Sequence, residues 1–401
     1  MNNLLYNLDA YIREFDSDVV DVRKTVWNKQ DVYEFVLGET CFFPEQGGQT
    51  SDTGILTDIE NEVEFEVIHA YIKDEVIYHI ARCKEEDKLK ALGVPKRIHG
   101  KINWEERFDK MQNHSGEHLV SGTVHRFFGF DNVGFSLSKD NCTLDFNGTF
   151  TSDELNLIEK TVNRAVFENF EVIVLYPDDV ELSKIDYRSK KELSGQVRIV
   201  EYPGYDVCAC CAPHVKRTGE IGLIKIVSAE HFKGGTRITI RCGYRALLDY
   251  GVKQEECRKI SKILSVPIDE VANAVEKENA DIRKLKFDLV GKMNEVLSLK
   301  AKEVIKDKNP LIFMETADVN AVRSAVNGIV KESEGICGIF TGNDEKGYSY
   351  IISSEKIDCT KVLNILKTEA GAKGGGNAGM IQGNVPSVES VIRDLIDKVN
   401  S

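Results

Sequence analysis

The sequence predicts an α+β protein in four successive parts: a small N-terminal β-barrel (1–103), a two-layer α+β domain (104–250), a helical linker or hairpin (251–306) and a C-terminal α/β domain (307–401). Three observations predict this order. Short runs of alternating apolar and polar residues fill the first hundred positions. Helical spacing takes over at Trp104. A long stretch after Gly251 carries a single proline, near its start.

In the first part DVYEFVL, EVEFEVIHAYI and EVIYHI alternate in the manner of half-buried strands, and Gly and Asp punctuate them, which predicts a small barrel or a strongly bent sheet. From Trp104 the apolar residues Phe108, Met111, Leu119, Val120, Val124, Phe127 and Phe128 fall at helical intervals, with Gly129 as the stop. A second helix, SDELNLIEKTVNRAVFEN, takes Ser152 as its expected N-cap. Strands return in EVIVLY, VRIVEY, IGLIKIVSAEHF and RITIRC, and strands alternating with two helices predict two layers. Lys, Glu, Leu, Val and Ala dominate 251–306 with helical periodicity, as in a helical hairpin or a dimerising coiled coil. In the last part three strand-like runs (LIFMET, GICGIFTG, YSYIISS) and two helical ones (VNAVRSAVNGIVKE, VESVIRDLIDKV) surround AGAKGGGNAGMIQG, read as a glycine-rich loop.

A chain 42% hydrophobic and 29% charged has the composition of a globular protein. No apolar run reaches the roughly 18–20 residues that span a bilayer, and the N-terminal residues lack the apolar core of a signal peptide, so a cytoplasmic protein without a membrane partner is expected. The net charge of −13 argues against indiscriminate binding along nucleic acid, which needs Lys and Arg, but allows a local basic patch. Ten cysteines are scattered except for Cys208, Cys210 and Cys211, and in a reducing compartment such a cluster points to metal or a reactive thiol.

His114 and His118 are four residues apart on the expected helix, so both imidazoles share one face. Much later, DVCACCAPHV spaces Cys210 and His214 by four, with Cys208 and Cys211 close by. Two histidines from a helix with a cysteine and a histidine from a turn make a His₃Cys set, the nitrogen and sulfur tetrahedron that Zn²⁺ favours, one ion per chain. The same helix also fits HxxEH, the inverted zinc-peptidase motif, with Glu117 as general base and a downstream acidic residue as third ligand. That reading leaves Cys210 and His214 unexplained.

These motifs resemble the editing-domain family of alanyl-tRNA synthetase, including its free-standing AlaX members. The HxxxH helix is NHSGEHL, the CxxxH turn is CCAPHV, and the N-terminal signature is Thr40-Cys-Phe-Phe-Pro44-Glu-Gln-Gly47-Gly48-Gln49-Thr-Ser-Asp52-Thr-Gly54. KRTGEIGLIKIVSAE is similar to the family's T-G-E-I-G strand, and AGAKGGGNAGMIQG is similar to the glycine-rich segment of the synthetase's C-terminal domain. No aminoacylation domain is present, so the resemblance is to the long AlaX form. The turn reads Cys-Ala-Pro-His where many relatives have Gly-Gly-Thr-His. Family spacing prefers Cys210 over Cys211 as ligand. Ser136 stands where relatives often carry His or Gln.

The resemblance implies zinc-dependent hydrolysis of Ser or Gly wrongly esterified to alanine tRNA. Ester hydrolysis needs a positioned water, charge stabilisation and a snug pocket, but no covalent nucleophile. Serine exceeds alanine by one hydroxyl, so a hydrolytic site selects it by requiring a hydrogen bond. By resemblance Thr40 is the candidate, with Gln49 and Ser136 as further catalytic candidates. Gly47 and Gly48 allow positive φ and close backbone approach to a ligand. Lys216 and Arg217 are candidate phosphate contacts. Lys373, Gly374, Gly375 and Gly376 are candidates for the tRNA body. A homodimer through the helical linker and C-terminal domain is also expected. The rival readings are a zinc metallopeptidase and a non-catalytic, zinc-containing RNA-binding protein.

Overall fold

The computed structural model describes residues 3–189 and 196–399. The chain divides into two units, Met1–Glu256 and Cys257–Ser401.

The first unit opens with the expected barrel. Strands Glu14–Trp27, Gln30–Leu37, Val76–Cys83, Glu64–Lys73, Gly54–Asp58 and Arg97–Ile102 close in that spatial order, all neighbours antiparallel. Alternation aims Phe35, Leu37, Leu56, Phe65, Val67 and Ile98 inward, where they form one buried cluster with Phe42. The segment between the second and third strands in sequence leaves the barrel wall. It carries most of the signature, residues 40–53.

Trp104–Phe128 is a single long helix. The Asn103 side chain accepts from the Glu106 amide, Glu105 and Glu106 occupy the first turn, and Gly129 ends the helix in the left-handed region at φ 68°. Buried residues lie all round its middle turns, as befits a helix enclosed by protein. It packs with helix Ser152–Glu168 on the sheet Ile224–Phe232, Gly235–Cys242, Cys142–Phe146, Asn132–Leu137. Met111, Leu119, Val120 and Val124 meet Leu144, Ile238 and Ile240 there, and Ile158 and Val162 complete the core. The N-cap of the second helix is Thr151, not Ser152: the Thr151 hydroxyl accepts from the Glu154 amide while the Glu154 carboxylate accepts from the Thr151 amide. A small antiparallel sheet, Ile173–Leu175, Ile199–Tyr202, Asp206–Ala209, leads into the cysteine turn. The T-G-E-I residues form a 3₁₀ turn, Thr218–Ile221, and the strand starts only at Ile224.

The helical stretch consists of Gly243–Leu264 and Val271–Val304. In the second unit the sheet order is Leu311–Met314, Cys337–Asn343, Gly347–Ser353, Met380–Val385, Lys373–Gly376. Helices Cys359–Ala370 and Glu389–Val399 cover the face bearing Phe340, Tyr350, Ile352 and Ile381. Helix Val319–Val330 covers the face bearing Ile339 and Ile351. The expected glycine-rich loop is here an edge strand: Lys373, Gly374, Gly375 and Gly376 pair with Asn384, Gly383, Gln382 and Ile381. Glycine is required at 374, since a Cβ there would meet the Gln382 carbonyl at 2.4 Å and the Tyr350 hydroxyl at 2.7 Å. No helix among the described residues is long and apolar enough to cross a membrane.

Candidate metal centre

The long helix brings His114 and His118 onto one face with ring centroids 5.4 Å apart, and the turn after Ala209 brings Cys210 and His214 against them. His214 lies 4.8 Å from both helix imidazoles, centroid to centroid. The Cys210 Sγ is 3.5 Å from His114 Nε2 and 3.3 Å from His214 Nε2. All four donor atoms fall within 4.8 Å of one another, so the four residues could hold one metal ion.

Each imidazole is fixed through its other nitrogen. His114 Nδ1 donates to Gln49 Oε1 at 2.7 Å, His118 Nδ1 to Asp206 Oδ2 at 2.8 Å, and His214 Nδ1 lies 3.2 Å from the Tyr202 hydroxyl. Hydrogen bonds at Nδ1 leave every Nε2 directed at Cys210, the arrangement of metal-ligating histidines. Among the described residues the buried His118 Nε2 has no hydrogen-bond partner, an arrangement that protein interiors tolerate where a ligand satisfies the atom. Burial opposes the Cys210 thiolate, but the neighbouring His114 and His214 imidazoles outweigh it and hold the thiol well below its usual range. Burial takes His214 down to about 3, against the pull of Cys210, and so keeps it neutral. For His118 burial favours the neutral ring, yet the Asp206 hydrogen bond raises it well above the ordinary imidazole value, and that proton is the one a cation would displace. Arg188 grips Asp206 with two hydrogen bonds, 2.8 and 2.9 Å, which keeps the carboxylate ionised and in place. Asp206→Asn should therefore weaken metal binding by about 10- to 100-fold without removing a ligand. Competition against a chromogenic chelator measures this, and wild-type affinity in the variant would refute the assignment.

The centre forms one wall of a pocket of about 550 Å³. Gln46, Gly47, Gly48, Val133, Phe135 and Arg198 complete much of the lining. Gly47 and Gly48 adopt φ of 65° and 86°, and a Cβ on Gly48 would stand 2.4 Å from the Phe135 carbonyl. Their backbone can turn sharply against the strand Asn132–Leu137 only because both are glycine.

Several expected site residues lie elsewhere. Thr40 does not reach the pocket. It is fully buried in the barrel, where His79 Nδ1 donates to the Phe35 carbonyl and His79 Nε2 takes the Thr40 hydroxyl at 2.9 Å. Burial lowers His79 to about 4, so the neutral ring can accept that bond. Gln49 is also fully buried, and its carbonyl serves His114 instead of lining the pocket. Ser136 is exposed, because alternation along its strand turns it away from the side on which Phe135 meets His114. Lys216 is exposed, paired with Asp9 at 3.0 Å, and its ammonium sits 4.6 Å over the Tyr11 ring. Arg217, also exposed, donates to the Asn169 carbonyl. Neither lines the pocket. Cys211 is absent from the donor quartet and packs instead beside Tyr6, Phe43 and Ala212. Glu117 is fully buried, with its Oε1 accepting from Ser121 and Asn132 at 2.7 Å each, which does not suit the free general base of the HxxEH reading. Asp206, Arg188 and Tyr202 were not foreseen. Asp206 and Tyr202 offer only polarity near the cysteine cluster, and Arg188, 20 residues before Cys208, offers no local signal.

Two family profiles match the chain. "Threonyl and Alanyl tRNA synthetase second additional domain" covers residues 197–239, which include Cys210 and His214, and "tRNA synthetases class II (A)" covers residues 10–106, the barrel. The chain is 28% identical to "Alanyl-tRNA editing protein AlaX-L" of Pyrococcus horikoshii, over 99% of this chain and 98% of that protein. It is 25% identical to "Alanyl-tRNA editing protein Aarsd1" of Danio rerio, over 95% of this chain and 93% of that one. Against "Alanine--tRNA ligase" of Pyrococcus furiosus the identity is 28% over 98% of this chain, which spans only 43% of the ligase. Over nearly its whole length the chain is thus similar to free-standing alanyl-tRNA editing proteins, and its two profile matches are to class II tRNA synthetase domains.

Proposed function

We propose that the protein is a zinc-dependent aminoacyl-tRNA deacylase that removes Ser, or Gly, from alanine tRNA. One observation carries the reading: a His₃Cys quartet with every Nε2 aimed at one thiolate, set in the wall of a pocket large enough for a small ligand. A zinc tetrahedron with Zn–S of about 2.3 Å and Zn–N of about 2.0 Å has S···N edges of roughly 3.5 Å. The Cys210 Sγ to Nε2 separations of 3.3 and 3.5 Å suit those dimensions. Zinc bound there would supply positive charge beside the scissile ester.

The chain's own residues do the remaining work. Gln49, Asp206 and Tyr202 hold the imidazoles in the orientation that the centre requires. The backbone of Gly47 and Gly48 lets a terminal adenosine approach closely, and Phe135 and Val133 screen the ester from bulk water. Alanine tRNA is the partner that the relatives' printed names point to. A cytoplasmic place and homodimerisation through the helical region accord with the reading.

The test is single-turnover deacylation of Ser-, Gly- and Ala-tRNA(Ala) by zinc-loaded protein. Release of serine or glycine with alanine spared is expected. Stoichiometric zinc with no ester cleavage would leave the RNA-binding reading, and cleavage of a peptide panel would favour the peptidase.

A further inference from the structure

On the outside of the barrel four planar side chains lie nearly parallel. The Trp27 ring stacks on His69 at 5.0 Å and 22° and on Tyr71 at 6.1 Å and 8°, and Tyr71 stacks on Tyr78 at 5.1 Å and 10°. None is fully buried. Two of them are held in place by polar contacts. The Tyr71 hydroxyl donates to Glu34 at 2.7 Å, whose other oxygen is taken by Arg23, and His69 Nδ1 lies 3.3 Å from the Ser51 hydroxyl. Trp27 ends its strand at a tight turn whose residues Asn28 and Lys29 both have positive φ.

The strip runs to the pocket. Glu45 bridges to Tyr71, and the Glu45 amide donates to the Ala70 carbonyl at 2.8 Å. The next residues, Gln46, Gly47 and Gly48, line the pocket wall. Two residues of chain span at most about 7 Å, so the strand carrying His69 and Tyr71 runs close to the pocket wall formed by Gln46, Gly47 and Gly48.

We propose that Trp27, His69, Tyr71 and Tyr78 form a stacking platform for the unpaired bases at the 3′ end of the RNA whose last nucleotide enters the pocket. The proposal rests on the deacylase reading for the identity of that RNA. Parallel aromatic faces take any base, because every base has a π-face. The chemistry also suits a chain of net charge −13, in which cations alone are a poor source of RNA affinity. Tyr71 and His69, held by polar contacts before the RNA arrives, lose little freedom on binding. Cross-strand packing of the hairpin alone would use the same rings, and the experiment separates the two roles.

The chain has two tryptophans, Trp27 and Trp104. In the full-length Trp104→Phe protein, titration with the single-stranded tetranucleotide ACCA should quench Trp27 emission saturably, whereas the same sequence within a duplex should not. Tyr71→Leu in that background should weaken the oligonucleotide roughly tenfold. In the deacylation assay Trp27→Leu should raise KM for mischarged alanine tRNA roughly tenfold at unchanged kcat, while Trp27→Tyr, which keeps a stacking face, should stay near wild type. Emission indifferent to the oligonucleotide, or a Trp27→Leu protein with wild-type melting and wild-type KM, overturns the platform. Saturable quenching without hydrolysis of any ester supports the platform and sinks the deacylase reading alone.

Discussion

Cys210→Ala protein should fold, bind no zinc and, under the proposed activity, deacylate mischarged alanine tRNA about a thousandfold more slowly, the loss expected when several kcal/mol of transition-state stabilisation is removed. The geometry makes the prediction specific to this sulfur. The Cys210 Sγ approaches two Nε2 atoms within 3.5 Å. The adjacent Cys211 belongs to the cluster with Tyr6 and Phe43, and Cys208 donates to the Ala209 carbonyl. Elemental analysis of the purified variants should therefore find zinc in Cys208→Ser and Cys211→Ser and none in Cys210→Ala. Full zinc occupancy and full single-turnover rate in Cys210→Ala would remove the quartet as the centre.

The second large effect concerns stability. Arg107, on the long helix, is fully buried and shares an ion pair with the fully buried Asp52. Arg107 Nε donates to Asp52 at 2.9 Å, Nη1 to the Ala10 carbonyl at 3.1 Å, and Nη2 to the Cys41 carbonyl, while the same Asp52 oxygen accepts the Phe43 amide at 2.7 Å. One guanidinium thus ties the helix, the N-terminal segment and both ends of the signature loop. Removing either partner strands a charge in a dry environment and should cost about 3–5 kcal/mol. Arg107→Leu with Asp52→Leu should lose clearly less than the sum of the single changes. Both tryptophans lie in the first unit, so fluorescence-detected denaturation reports on that unit. Single variants within 1 kcal/mol of wild type would show that the pair is dispensable.

Much of this architecture was legible in the sequence, because local pattern encodes it. Alternation marked the barrel strands, and helical spacing with Gly129 marked the long helix to its last residue. His114 and His118 share a face by helix geometry alone, and the spacing of Cys210 and His214 announced the second half of the quartet. What stayed hidden depends on contacts between distant segments. The partner of His118 is 88 positions away, and that of His114 is 65 positions away. Nothing local says that Gln49 faces a histidine and not a ligand, or that Thr40 faces the barrel interior and His79. The glycine tract departs from its expected loop for a related reason. A run of glycines reads as a loop, but here glycine is what a neighbouring hydroxyl and carbonyl demand of an edge strand.

The tethers on His114 and His118 come from separate segments, Gln49 from the signature loop of the barrel and Asp206 from the strand before the cysteine turn. All four donors belong to residues 114–214, yet the fragment that contains them is not a self-sufficient module. Excised from its first hundred residues it would keep its ligands while freeing one imidazole to rotate. The smallest portable form of this centre is the barrel, the long helix and the cysteine turn together.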